Sequence, residues 1–143
     1  MLWEDGAVVD RLTVPTTTPA ETLGSLRDKI RAWQARGKLD GLGIATFGLV
    51  QLDPLAPDYG EILATPKHGW TGARVLATLA AGLDCPIAID TDVNAAALAE
   101  QQWGAGQGCS SLVYLTIGTG LGGGILLEGR PVHGRLHPEI GYT

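Results

Sequence analysis

Two aspartates, Asp90 and Asp92, flank Thr91 where a short apolar run, Pro86 to Asp90, gives way to a small-residue stretch from Val93 to Trp103. The first segment reads as a strand and the second as a helix. In α/β sheets that junction is the edge where ligands bind, and a carboxylate there can accept a proton from a substrate hydroxyl. This is the work of the base in phosphoryl transfer. The plainer reading is that one aspartate caps the helix, which leaves the second without a use.

The second chemical feature is Gly118-Thr119-Gly120-Leu121-Gly122-Gly123, a G-x-G-x-x-G run behind the strand-like segment Ser111 to Ile117. A dinucleotide fingerprint requires a helix directly afterwards, with its N-terminus aimed at the pyrophosphate. Gly124-Ile125-Leu126-Leu127 followed by Glu128-Gly129 is instead a short apolar strand closed by a turn. Gly118 to Gly124 is therefore expected to form a β-hairpin turn whose bare amides make a nest for phosphate oxygens, beside the Thr119 hydroxyl. A plain glycine-rich hairpin accounts for the run equally well when it is taken alone. No G-x-x-x-x-G-K-S/T pattern occurs, which excludes a P-loop. His137-Pro138-Glu139 gains interest only from its company, and His68 and His133 have still less local support.

The elements that must position these residues follow from periodicity and punctuation. Asp5-Gly6 is a two-residue hairpin signal, with an outgoing strand expected from Ala7 to Val14. Only four residues precede the turn, a mismatch that suggests a chain starting late. Thr18-Pro19-Ala20-Glu21 has capping-box spacing with proline at the first helical position. Leu23, Leu26, Ile30 and Trp33 then form one apolar stripe, and Gly37 is placed to end the helix. Leu42 to Phe47 reads as a buried strand. Gln51 to Trp70, with three prolines and two glycines, reads as a long irregular connection of the kind that is usually functional. A helix is expected from Thr71 to Leu83, and strands at Ile125–Leu127 and Arg130–Val132. The order gives an α/β domain with helices packed on a mixed sheet.

Composition narrows the partners. A 143-residue chain, 45% hydrophobic and 17% charged, has an ordinary globular balance. Its net charge of -5 and scattered basic residues give no nucleic-acid groove and no polybasic membrane patch. Cys85 and Cys109 form neither a CxxC pair nor a disulfide framework, which fits a reducing compartment. No signal-peptide pattern or membrane-spanning run is present, so the cytoplasm is expected.

Taken in order, Asp-x-Asn-Ala-Ala-Ala-Leu, the glycine run, Glu-Gly-Arg-x-Val-His-Gly and His-Pro-Glu-Ile-Gly resemble the ROK family of sugar kinases. The His-Pro-Glu form and Thr65-Pro66-Lys67-His68-Gly69-Trp70 resemble its bacterial fructokinase branch. The resemblance runs from about Asp5 to Gly141. It implies the actin-like, ribonuclease-H-like ATPase fold, an α/β architecture of two domains about a cleft. Residues 1–104 would be part of the N-terminal domain, and residues 105–143 the start of the second, with its phosphate-binding hairpin.

By position, Asp92 matches the base that deprotonates the sugar hydroxyl and contacts the sugar. Gly118, Thr119, Gly120 and Gly122 match the second phosphate loop. Glu139 matches a sugar-hydroxyl ligand, with His137 beside it. The implied substrates are ATP and a hexose, most simply fructose, with Mg²⁺ carried on the nucleotide. Family members are typically homodimers. Three departures stand out. The first phosphate motif, Asp/Glu-x-Gly-Gly-Thr-Lys, has no counterpart before Asp5. Tyr142 stands where a sugar- and zinc-binding histidine is usual, so the family zinc site is not expected. The C-terminal half, with the adenine pocket and much of the dimer surface, is missing. On these residues alone, low or no kinase activity and a tendency to associate are expected. The alternatives are a non-catalytic remnant and a sugar-sensing regulatory module. The second would carry a winged helix ahead of the kinase-like part, and Asp92 favours the catalytic lineage.

Overall fold

The structure, a computed structural model, describes residues 1–118, 120–133 and 140. The chain begins with a hairpin, β1 (Leu2–Glu4) and β2 (Ala7–Asp10). Asp5 and Gly6 both take positive φ, 48° and 82°, the geometry that lets a two-residue turn follow the strand twist. The outgoing strand is four residues long, not eight, so it is only one residue longer than β1 and the mismatch expected from the sequence does not arise.

Helix α1 (Pro19–Gln34) starts as its sequence dictates. The Thr18 hydroxyl accepts from the Glu21 amide at 3.3 Å. The Glu21 carboxylate in turn takes hydrogen bonds from the Thr17 and Thr18 hydroxyls at 2.8 and 3.0 Å. Those donors hold its pKa below the ordinary carboxylate value. Leu23, Ile30 and Trp33 are buried on the inner face, and Leu26 packs partly buried beside them. Each such side chain is worth about 1.5–3 kcal/mol in apolar area removed from water.

Asp10 ties the hairpin to this helix. The Trp33 indole N–H donates to its Oδ2 at 2.8 Å, and Lys29 pairs with the same oxygen at 2.9 Å. The indole hydrogen bond first, and then Lys29, lower the Asp10 pKa from 3.8 to about 2. A lowered folded-state pKa gives stability that is present above the unfolded value and lost as pH falls through the folded one. Thermal melts taken between pH 5 and pH 2 are therefore expected to show a loss of stability below about pH 4, and Asp10→Asn to flatten it. An unchanged profile in the variant would exclude this contact as its source.

Strand β3 (Leu42–Thr46) pairs in parallel with β4 (Ile87–Thr91), Leu42 opposite Ile87 and Thr46 opposite Thr91. The chain between them is richer than a bare loop. Bridges join Val50 to Ile62 and Glu61 to Arg74. Val50 and Ile62 are among the most deeply buried side chains, and Trp70 is buried with its indole N–H donating to the Thr17 carbonyl at 2.9 Å. Helix α2 is only Val75–Ala80. Gly72 and Gly82, with φ of 78° and 81°, bracket it in left-handed backbone and shorten the expected Thr71–Leu83 helix.

Helix α3 (Asp92–Trp103) leads to β5 (Ser111–Ile117), β6 (Leu121–Leu127) and β7 (Arg130–Pro131), an antiparallel sheet in that order. In place of one mixed sheet, the described residues form three small ones: β1–β2, β3–β4 and β5–β6–β7. The main core lies among α1, α2, the β3–β4 pair and the 50–70 connection. Val93, Ala97 and Leu126 are buried where α3 packs on β6.

Candidate functional site

The parallel register of β3 and β4 brings their C-terminal ends level. Phe47 and Gly48 leave one strand where Thr91 and Asp92 leave the other. The turn between β5 and β6 meets them, and together they enclose a cleft of about 440 Å³. Its lining includes Phe47, Gly48, Thr65, Lys67, Asp92, Gly118, Gly120 and Gly122. Asp92 and three of the four residues expected at the phosphate loop thus share one cavity. Thr119, His137, Glu139 and Tyr142 lie outside the described residues.

Neither aspartate caps α3. Thr91 does, its hydroxyl accepting from the Asn94 amide at 3.3 Å. Asp92 occupies the first helical position, where a negative charge is favoured. Its Oδ1 accepts from the Val93 amide at 2.9 Å, and the residue is exposed in the cleft. Asp90 turns elsewhere. Its Oδ1 accepts from the Thr91 amide at 2.7 Å and from the buried Asn94 side-chain amide at 2.8 Å. Its Oδ2 lies 2.9 Å from His133 Nε2. This Asp90–Asn94–His133 cluster ties the segment after β7 to the start of α3. Sequence reasoning gave His133 no role, because its partner lies 43 residues away.

The glycine run divides into two parts. Only Gly118 to Gly120 spans the turn, closed by a hydrogen bond from the Gly118 amide to the Gly120 carbonyl at 2.9 Å. Gly122, Gly123 and Gly124 already belong to β6, opposite Thr116, Leu115 and Tyr114. The expected turn is thus shorter than Gly118–Gly124, and the strand that continues from it excludes the dinucleotide fingerprint.

The strand glycines are there for packing. A Cβ on Gly124 would strike the Val93 carbonyl oxygen and lie 2.7 Å from the Val93 carbonyl carbon and 3.0 Å from the Asn94 amide nitrogen. One on Gly122 would lie 3.1 Å from both Thr116 and Val93 methyl groups. Gly118 is different. Nothing lies within 4 Å of its Cβ position and its φ is not in the left-handed region, so neither packing nor backbone geometry demands glycine there. Gly118 and Gly120 are both exposed at the cleft.

A profile of the ROK family matches residues 1–143. The chain belongs to the ROK family. It is 47% identical to a fructokinase of Zymomonas mobilis over 131 residues, which is 90% of this chain and 44% of that protein. It is 42% identical to a putative fructokinase of Bacillus subtilis over 139 residues, 97% of this chain and 45% of that protein. Among solved structures, a ROK family glucokinase from Streptomyces griseus, in complex with glucose and AMPPNP, superposes with a TM-score of 0.70. The identity there is 26%, over 88% of this chain and 39% of the glucokinase. This ROK chain therefore has the actin-like ATPase fold, and it spans less than half the length of the curated relatives it matches. Among its described residues, no helix is long and apolar enough to cross a membrane.

Proposed function

We propose that these residues form the hexose- and phosphate-binding edge of an ATP-dependent hexose kinase, with fructose as the preferred acceptor. The observation that carries this reading is the cleft that joins Asp92, released from capping by Thr91, to an open glycine turn. The relatives named as fructokinases support fructose as the sugar.

In this reading a hexose hydroxyl attacks the γ-phosphorus of ATP. The bond from that phosphorus to the bridging β–γ oxygen breaks, and ADP leaves with the electron pair. Because the Val93 amide already engages Asp92 Oδ1, Oδ2 receives the hydroxyl proton. The Gly120 N–H offers its dipole to charge gathering on the transferred oxygens, while the Gly118 N–H is held by the Gly120 carbonyl and Gly122 lies in the β5–β6 ladder. Mg²⁺, arriving on the nucleotide, would neutralise charge on the β- and γ-oxygens. Glu139 and His137 would complete the sugar contacts. Residues 1–104 would form part of one domain and residues 105–143 the start of a second.

Turnover is assigned to a chain of the relatives' length and not to these 143 residues alone. A panel of hexoses assayed for ADP release, with ATP and Mg²⁺, tests the reading in such a chain. Fructose is expected to give the highest kcat/KM, above glucose and mannose. ADP release that does not depend on any hexose would contradict it.

A further inference from the structure

Among the described residues, two charged side chains line the cleft. One is Asp92, and the other is Lys67, in the connection between β3 and α2. A base accounts for the first and leaves the second unexplained.

The Lys67 ammonium stands 4.4 Å from the centre of the Phe47 ring. Phe47 is itself fixed edge-on against Trp70, with ring centres 5.1 Å apart, and Trp70 is only 4% exposed. The Lys67 amide donates to the Thr65 hydroxyl at 3.3 Å, a local turn that holds the backbone there. A flexible lysine is thus held at the cleft by a ring anchored in the core. Among the described residues, no carboxylate lies within ion-pair distance of it. In a chain with 15 acidic and 10 basic residues, a cation held at a ligand cleft without an acidic partner is suited to an anion that arrives with the ligand.

We propose that Lys67 binds the phosphoryl group at the acceptor side of the cleft, and that Phe47 positions it. The group has two possible sources, the phosphate of a hexose 6-phosphate and the γ-phosphate of ATP. Lys67 is assigned to oxygens of the phosphoryl group and not to the sugar ring. The ammonium donates hydrogen bonds to those oxygens, and no bond to phosphorus passes through it. This inference rests on the kinase reading above and adds a residue to it.

Binding to a chain of the relatives' length separates the possibilities. Fructose, fructose 6-phosphate and AMPPNP–Mg²⁺ are titrated singly by calorimetry into the unaltered chain, Lys67→Met and Lys67→Arg. Methionine keeps the stem against Phe47 and removes the charge, whereas arginine restores the charge. Lys67→Met is expected to weaken fructose 6-phosphate about tenfold or more, leave fructose within about twofold, and be rescued by Lys67→Arg. The same loss with AMPPNP–Mg²⁺ places Lys67 on the γ-phosphate before transfer, and its restriction to fructose 6-phosphate places it on the product. Equal losses for fructose and its phosphate, or none, would overturn the Lys67 assignment while leaving the kinase reading standing. An unaltered chain that binds none of the three would overturn both.

Discussion

Asp92→Asn is expected to lower phosphoryl transfer by about two to four orders of magnitude, the usual contribution of a positioned base, while hexose affinity changes by no more than a few-fold. The substitution is nearly isosteric. An asparagine oxygen can still accept from the Val93 amide, as Asp92 Oδ1 does at 2.9 Å, so the start of α3 should keep its geometry. What is removed is the ability to take a proton. Because Thr91 supplies the cap, the folded state is expected to lose little stability. Full turnover in the variant would remove Asp92 from the base role. A collapse of stability would show that it acts on the fold.

Gly124→Ala and Gly118→Ala are expected to separate the two halves of the glycine run. At Gly124 the added methyl meets the backbone of Val93 and Asn94, which cannot rotate away as a side chain end could. Either β6 or the first turn of α3 must move, at a cost of about 2–3 kcal/mol. Asp92 sits in that turn, so ligand affinity should fall along with stability. At Gly118 the methyl enters open space, and stability should stay within about 0.5 kcal/mol. Affinity for AMPPNP–Mg²⁺ should nevertheless fall about tenfold, because the methyl occupies volume assigned to phosphate oxygens. Urea denaturation and calorimetry measure both. The reverse pattern, a stable Gly124→Ala and an unstable Gly118→Ala, would contradict the division.

What the sequence announced was local. Thr18 and Glu21 lie three residues apart, and Asp5-Gly6 specifies a turn by itself, so both form as expected. The strand–helix junction at Asp90 to Val93 was equally legible, as was the β5–β6 hairpin. Features made by distant segments were hidden. Nothing near His133 points to Asp90, and nothing near Gly124 announces that Val93 will press on it. The 51–70 stretch read as a loop because prolines and glycines break periodicity, yet Ile62 is completely buried and Lys67 reaches the cleft. The two aspartates looked interchangeable from spacing alone. Hydrogen bonding distinguishes them, turning Asp90 toward Asn94 and His133 and leaving Asp92 in the cleft.

The central claim is that one cleft holds both the hexose and the phosphates, and amide chemical shifts of these residues within a chain of the relatives' length test it most directly. Fructose is predicted to move the Asp92 and Val93 amides and AMPPNP–Mg²⁺ those of Gly118, Gly120 and Gly122, with the two ligands binding together. Shifts confined to other surfaces, or mutual exclusion of the two ligands, would contradict it.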